Sequence, residues 1–378
     1  MNPRLAGIAP SLIRAINARK REGDIDLGLG EPTLRPDVAP FEAALELVRR
    51  EGLPYTPNAG LTELREAIAR YHAYPGLGAA ASVCVTIGSE EALYLALKTV
   101  LDPARDEVLI VEPCYLAYPK LCALEGIRHR AAALDAADGF RPSAARVLEA
   151  LGPDTRMIVI NSPANPTGRV WPAAELRTLA EGLAERPETI YVLSDEVYRE
   201  LYYEDEHPAS IAEFHPHALV AGSLSKSNAL TGLRLGWLMG ATQVIGEATK
   251  VHQLVNTAAS TQSNHVALEI FRRPESLAAH RPLYARQRAL LLESLQRHGL
   301  EHAPVEGAFY CFVRLPPHLA ADSLAAAERL LDEHRVVTVP GIAFGAAGEG
   351  WLRLSWVATA EALTTGIERI AEFCAARG

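Results

Sequence analysis

Lys226 stands in the run GSLSKSNALTGLRLGWLM, residues 222–239, with Ser223 and Ser225 just before it and Gly232 and Arg234 behind it. A lysine becomes a nucleophile toward an aldehyde when desolvation or nearby positive charge lowers its ammonium pKa. Serine hydroxyls and an arginine make a site for a dianion, because the guanidinium fork matches phosphate geometry. Together these residue types imply capture of a phosphorylated aldehyde, for which pyridoxal 5′-phosphate held as a Schiff base is the obvious candidate. Such a lysine alone is an ordinary surface residue. The reading therefore depends on what else the chain brings to the pocket.

Three further polar clusters each follow a short apolar run. Gly88-Ser89-Glu90 comes after residues 83–87 (VCVTI) and opens a helical stretch, 90–100. Helix N-termini expose free N–H groups and partial positive charge, so phosphate sits there readily, although Ser89 also suits a plain cap. Residues 161–168 (NSPANPTG) follow the run MIVI and form a stiff loop that leaves Asn165 facing the strand ends. Turn chemistry alone also explains Asn, Pro and Gly there. Ser194-Asp195-Glu196-Val197-Tyr198 follows IYVL, so Asp195 can pair with a protonated ring nitrogen and Tyr198 can donate to a phenolate oxygen.

These clusters need a frame that brings them together. Strands are expected at 83–87, 108–111, 157–160, 190–193, 217–221 and 235–239, with helices such as 90–100 and 173–184 between them. Continuous apolar strands separated by helices imply a mostly parallel sheet buried on both faces, which places α/β at the level of fold class. Ligands of such sheets bind beyond the carboxyl ends of the strands, where all the clusters fall. After about residue 275 the pattern becomes α+β: a helix at 277–298, a strand at 308–313, another Ala/Leu/Glu helix and a strand at 351–356. The expected division is 1–40 as an N-terminal arm and part of a smaller domain, 41–275 as the large domain, and 276–378 as the rest of the smaller one. An N-terminal helix at 10–22 is expected to pack with that smaller domain.

Composition narrows the partners. Of 378 residues, 49% are apolar and 22% charged, with a net charge of −9. Nucleic acid and anionic membrane both call for a basic face, so neither is expected as partner. No apolar run approaches the roughly 18 residues of a membrane span, and the charged N-terminus does not resemble a signal peptide. The five cysteines form no CxxC pair and read as reduced thiols of a cytoplasmic protein, with no metal site and no disulfide frame.

With NPTG at 165–168, SDEVY at 194–198, SLSK at 223–226, GLRLGW at 232–237 and YTPNAGLTELREAI at 55–68, the chain resembles the class I/II aminotransferases, the fold-type-I enzymes of pyridoxal phosphate. The resemblance runs from about residue 28 to residue 356. It implies that Lys226 forms the Schiff base and shuttles the substrate proton, that Asp195 keeps the pyridine nitrogen protonated, and that Tyr198 and Asn165 bond the ring hydroxyl. Ser223, Arg234, Ser89 and the N–H of Glu90 would hold the phosphate, and Tyr115 would stack on the ring. Tyr55 would reach the phosphate of a neighbouring subunit, which implies a homodimer with shared sites. Arg353, helped by Gly30, would clamp the substrate α-carboxylate. The reaction implied is ping-pong transamination between an L-amino acid and a 2-oxo acid.

One departure bears on the substrate. Where some dicarboxylate-specific relatives carry a lysine, this chain has Glu90, which would repel an aspartate side chain. Tyr115 and Phe344 near the expected mouth would suit an apolar or aromatic one. The same residues also serve β-elimination of the C–S lyase type and ring-forming reactions. A pyridoxal phosphate-binding regulator would carry a basic DNA-binding extension, and this sequence contains none.

Overall fold

In the computed structural model, residues 3–6, 8 and 10–376 are described. The strands in chain order are β1 (Ile25–Asp26), β2 (Val83–Thr86), β3 (Glu107–Glu112), β4 (Arg128–Ala133), β5 (Thr155–Asn161), β6 (Tyr191–Asp195), β7 (Ala218–Ser223), β8 (Gly236–Met239), β9 (Tyr310–Arg314), β10 (Val336–Val337), β11 (Val339–Pro340) and β12 (Trp351–Ser355). Seven of them form one sheet in the order β2-β8-β7-β6-β5-β3-β4. Strand β8 is antiparallel to both neighbours, and every other pairing in the sheet is parallel. The mostly parallel α/β sheet expected from the sequence is therefore present.

Alternation along these strands explains why they read as unbroken apolar runs. Cys84, Val108, Ile110, Met157, Val159, Leu193, Leu219 and Leu238 face one apolar layer that includes the helix Ser89–Val100. Val83, Val85, Leu109, Ile158, Ile160, Val192, Val220 and Trp237 face the other. With period two and helices on both faces, most positions of these strands are buried.

Strand β4 escapes that pattern. Its sequence, RHRAAA, is almost wholly exposed and pairs only with β3, so an edge strand with little apolar content left no periodic signal. The helix expected from 277 starts later, at Arg281–Arg297, after a 3₁₀ turn at Pro274–Ala278. Pro282 lies in its first turn, where a missing N–H costs nothing.

Strands β11, β12 and β9 form a separate antiparallel sheet. It packs with the helices Arg281–Arg297, Ser323–His334 and Ala360–Ala375 into a second core containing Leu291, Leu330, Leu354, Trp356 and Ile367. The N-terminal helix, shorter than expected at Leu12–Ala18, is capped by Ser11 and buries Ile16 in this same core. Strand β1 pairs with β10, and Leu27 joins the core as well. Among the described residues no helix is long and apolar enough to cross a membrane, no group of His, Cys, Asp and Glu could hold a metal ion, and all five cysteines are free.

Candidate active site

The carboxyl ends of β5 and β6, the loops after β2, β3 and β7, and strand β12 of the second sheet converge on one cavity of about 440 Å³. Its lining includes Gly30, Ser89, Glu90, Tyr115, Asn165, Asp195, Tyr198, Lys226, Arg234 and Arg353. Residues scattered over more than three hundred positions thus meet in one place, as the strand-end clusters suggested.

Asp195 ends β6 and is buried. Burial pushes its carboxyl up to about 6, against hydrogen bonds from the Tyr118 hydroxyl (2.7 Å) and the Val197 amide (3.3 Å) that favour the charged form. Charge on Glu90 and Glu196 adds to the upward push. Among the described residues no cation lies within ion-pair distance of it, so a protonated heterocycle in the cavity is the partner its charge calls for.

Lys226, half-buried after the turn that follows β7, donates from Nζ to the Gly30 carbonyl at 2.7 Å. Arg234 has a left-handed backbone and lies directly under Gly88. A Cβ on Gly88 would come within 2.7 Å of Arg234 Nη2, and Gly88 itself has φ +76°, so only glycine lets the guanidinium reach the N-terminus of the helix Ser89–Val100. Guanidinium and free helix amides together make an anion seat. Ser225 lines the cavity beside it. Ser223 does not: its hydroxyl is engaged with Ser225 Oγ (2.7 Å) and the Leu235 carbonyl (2.9 Å), because it ends a buried strand.

Arg353, on β12, is buried with only 2% of its surface exposed. Nη1 donates to Asn165 Oδ1 (3.0 Å) and Nη2 to the Gly28 carbonyl (2.7 Å), while Nε has no partner among the described residues. The guanidinium lies 4.3 Å from the centre of the Tyr310 ring and 5.1 Å from that of Phe344. Burial lowers its pKa. Among the described residues no carboxylate pairs with it, and a buried cation of this kind suits a bidentate carboxylate ligand. Arg353→Ala is expected to raise KM for amino acids about 10–100-fold while kcat falls less, since a charge-assisted pair is worth about 1.5–3 kcal/mol. Steady-state kinetics check this, and an unchanged KM would assign carboxylate binding to another group.

Phe344 is not at the mouth, and Tyr55, 86% exposed, faces away from the cavity of its own chain, as a reach to a neighbouring subunit requires. Phe344 is fully buried against Phe312 beneath Arg353, so it supports the clamp. Three residues escaped the sequence reading. Tyr118 sits three residues after Tyr115, a spacing that could have revealed it. Tyr310, from β9, bonds the Tyr198 hydroxyl at 2.9 Å, a contact between distant strands with no local signal. Asn161 holds the 161–168 loop against the end of β6 through the Asp195 carbonyl (2.7 Å) and the Asn165 amide (2.7 Å).

A half-buried lysine, a buried carboxylate lacking a cation and an arginine at a helix N-terminus fit the aldehyde, ring nitrogen and phosphate of pyridoxal 5′-phosphate in turn. Comparison with known proteins points the same way. Residues 22–370 match the family model described as aminotransferase class I and II. The aspartate/prephenate aminotransferase of Thermus thermophilus is 35% identical over 98% of each chain. A structure of a Thermus thermophilus aspartate aminotransferase single mutant superposes with a TM-score of 0.91 at 35% identity, covering 99% of both chains. The aromatic aminotransferase of Pyrococcus horikoshii gives a TM-score of 0.87 at 31% identity, over 95% of this chain and 98% of that one. The chain belongs to the class I and II aminotransferases, enzymes that use pyridoxal 5′-phosphate to move amino groups between amino acids and 2-oxo acids.

Proposed function

We propose that this aminotransferase uses Lys226, Asp195 and Arg353 as its working groups and prefers amino donors whose side chains carry no carboxylate. The observation that carries the first part is their convergence on one cavity, with Arg353 opposite no acid among the described residues. When bound, the cofactor supplies an electron sink that acidifies the substrate Cα–H. Arg353 and Asn165 would hold the α-carboxylate, which fixes the Cα–H relative to Lys226 Nζ so that the amine removes and returns the proton. Asp195, kept charged by a protonated ring nitrogen, would hold the ring, and Tyr115 would lie against its face. Arg234, Ser89, Ser225 and the Glu90 amide would seat the phosphate.

The donor preference rests on Glu90. Its carboxylate faces the cavity, bonded by the Tyr115 hydroxyl at 3.4 Å. Ile13, Leu29, Leu93 and Tyr115 make the nearby wall apolar, and Arg14, the remaining lining cation, is exposed at the mouth. A second carboxylate brought beside Glu90 would meet like charge in a partly dry site. Neutral and aromatic donors are therefore expected to outperform aspartate and glutamate. Glu90→Lys is expected to reverse the order, by about 10-fold or more in the ratio of kcat/KM values, because it replaces repulsion with attraction. A panel of L-amino acids tests both statements: each true donor bleaches the visible absorbance of the Lys226-bound cofactor and releases one equivalent of its 2-oxo acid. Release of ammonia or thiol would instead indicate elimination. A preference for aspartate in the native protein would overturn the donor assignment.

We further infer a homodimer of cytoplasmic proteins built from the 41–275 domain and a smaller one formed by 1–40 and 276–378. Support comes from the exposed apolar side chains Leu53, Tyr55, Leu254 and Val255, on two segments tied together by Asn58 to Thr257 (2.8 Å). Tyr55, exposed on that face, would reach the partner's phosphate seat. The five free cysteines suit a reducing compartment.

A further inference from the structure

The hydroxyl of Tyr198 is buried and, among the described residues, has one partner in hydrogen-bond range, the Tyr310 hydroxyl at 2.9 Å. Which tyrosine donates decides what Tyr198 has left to offer the cavity. Among the described residues Tyr310 has one alternative acceptor, the Gly30 carbonyl at 3.4 Å. At 3.4 Å that contact is longer and weaker than the 2.9 Å contact to Tyr198 Oη. The better-placed target for the Tyr310 proton is thus Tyr198 Oη, and Tyr198 then keeps its own proton for an acceptor in the cavity. The local packing fixes this arrangement. Gly30 cannot carry a Cβ, which would lie 2.7 Å from the Tyr310 hydroxyl, so backbone and phenol stay in contact. The Tyr198 and Tyr310 rings meet edge to face with centroids 5.5 Å apart. The Arg353 guanidinium, 4.3 Å from the centre of the Tyr310 ring, draws electron density from the phenol and strengthens it as a donor.

We propose that Tyr310 is a positioning residue: it donates to Tyr198, directs the Tyr198 proton to the ring hydroxyl of the bound cofactor, and so sets the protonation of the nitrogen through which Lys226 holds that cofactor. This rests on the assignment of Lys226 and Tyr198 to the cofactor. A hydrogen bond to the ring oxygen stabilises its negative charge most when the neighbouring nitrogen has lost its proton, so the bond lowers that nitrogen's pKa. A donor feeding Tyr198 makes the bond stronger, as in other hydrogen-bond chains.

The experiment is a pH titration of the visible absorbance of the cofactor-loaded protein, with the native chain, Tyr310→Phe, Tyr198→Phe and the double variant. A visible band in the native protein establishes the underlying assignment; its absence would overturn both readings. With the band present, Tyr310→Phe is expected to move the transition to higher pH by about 0.5–1 unit, the scale of one hydrogen bond. Tyr198→Phe is expected to move it further. In the Tyr198→Phe background, the Tyr310 substitution is expected to do nothing more, because its effect passes through Tyr198. A Tyr310→Phe transition at the native pH, or an equal shift with and without Tyr198, would overturn the proposal. The phenylalanine keeps the ring on which Arg353 rests, and retention of the band shows that each variant is folded.

Discussion

Lys226→Ala is expected to abolish the visible absorbance of the loaded protein and to reduce turnover at least about 10⁴-fold. Two losses combine. The covalent tie to the cofactor disappears, and so does the amine that moves the Cα proton, a role that positioned acid–base groups fill at about 10²–10⁴-fold apiece. The fold should survive. Lys226 is half-buried, and among the described residues it bonds the Gly30 carbonyl, which the Tyr310 hydroxyl already approaches at 3.4 Å. Absorbance and single-turnover assays check this. A retained band, or turnover within tenfold of native, would remove Lys226 from the mechanism.

Asp195→Ala should leave a protein that binds the cofactor weakly and turns over about 10²–10⁴ times more slowly, a barrier increase of about 3–5 kcal/mol. The cause is visible in the site. The carboxylate is buried, oriented by Tyr118 and Val197, and without a cation among the described residues, so its charge is held for a protonated ring nitrogen. The same burial predicts a pH dependence in the cofactor-free protein. Burial raises the folded carboxyl to about 6, well above the ordinary 3.8 of an exposed aspartate, so between those values the folded state binds more protons than the unfolded one. Stability of the cofactor-free protein should therefore fall as pH rises from about 4 to about 6, by about 3 kcal/mol at most from this group. Asp195→Asn should remove that decline, and bound cofactor should offset it by supplying the missing cation. Thermal unfolding at several pH values, with and without cofactor, measures each; a native profile in Asp195→Asn would mean that Asp195 pays no burial penalty.

Much of this site was legible because its chemistry lies in short, local runs. NPTG, SDEVY and SLSK each place a polar group directly after an apolar strand, and the sheet's parallel order puts all strand ends on one side. Local sequence could not say which face of a turn a hydroxyl would take. Ser223 was expected at the phosphate, but as the last residue of a buried strand it bonds Leu235, and Ser225 lines the cavity. Phe344, expected at the mouth, lies under Arg353 instead.

The amino-acid sequence by itself determined the α/β sheet and the strand-end clusters, and it singled out Lys226, Asp195, Asn165 and Arg353, which line one cavity and are proposed above as its working groups, because period-two apolar runs and neighbouring polar residues are properties of a few consecutive positions. The tertiary structure alone decided what holds those groups in place. Tyr118 against Asp195, Tyr310 against Tyr198 and Arg353 against Asn165 join positions 77, 112 and 188 residues apart. No local pattern encodes such a contact; it exists only once two sheets and the N-terminal segment have packed around one cavity.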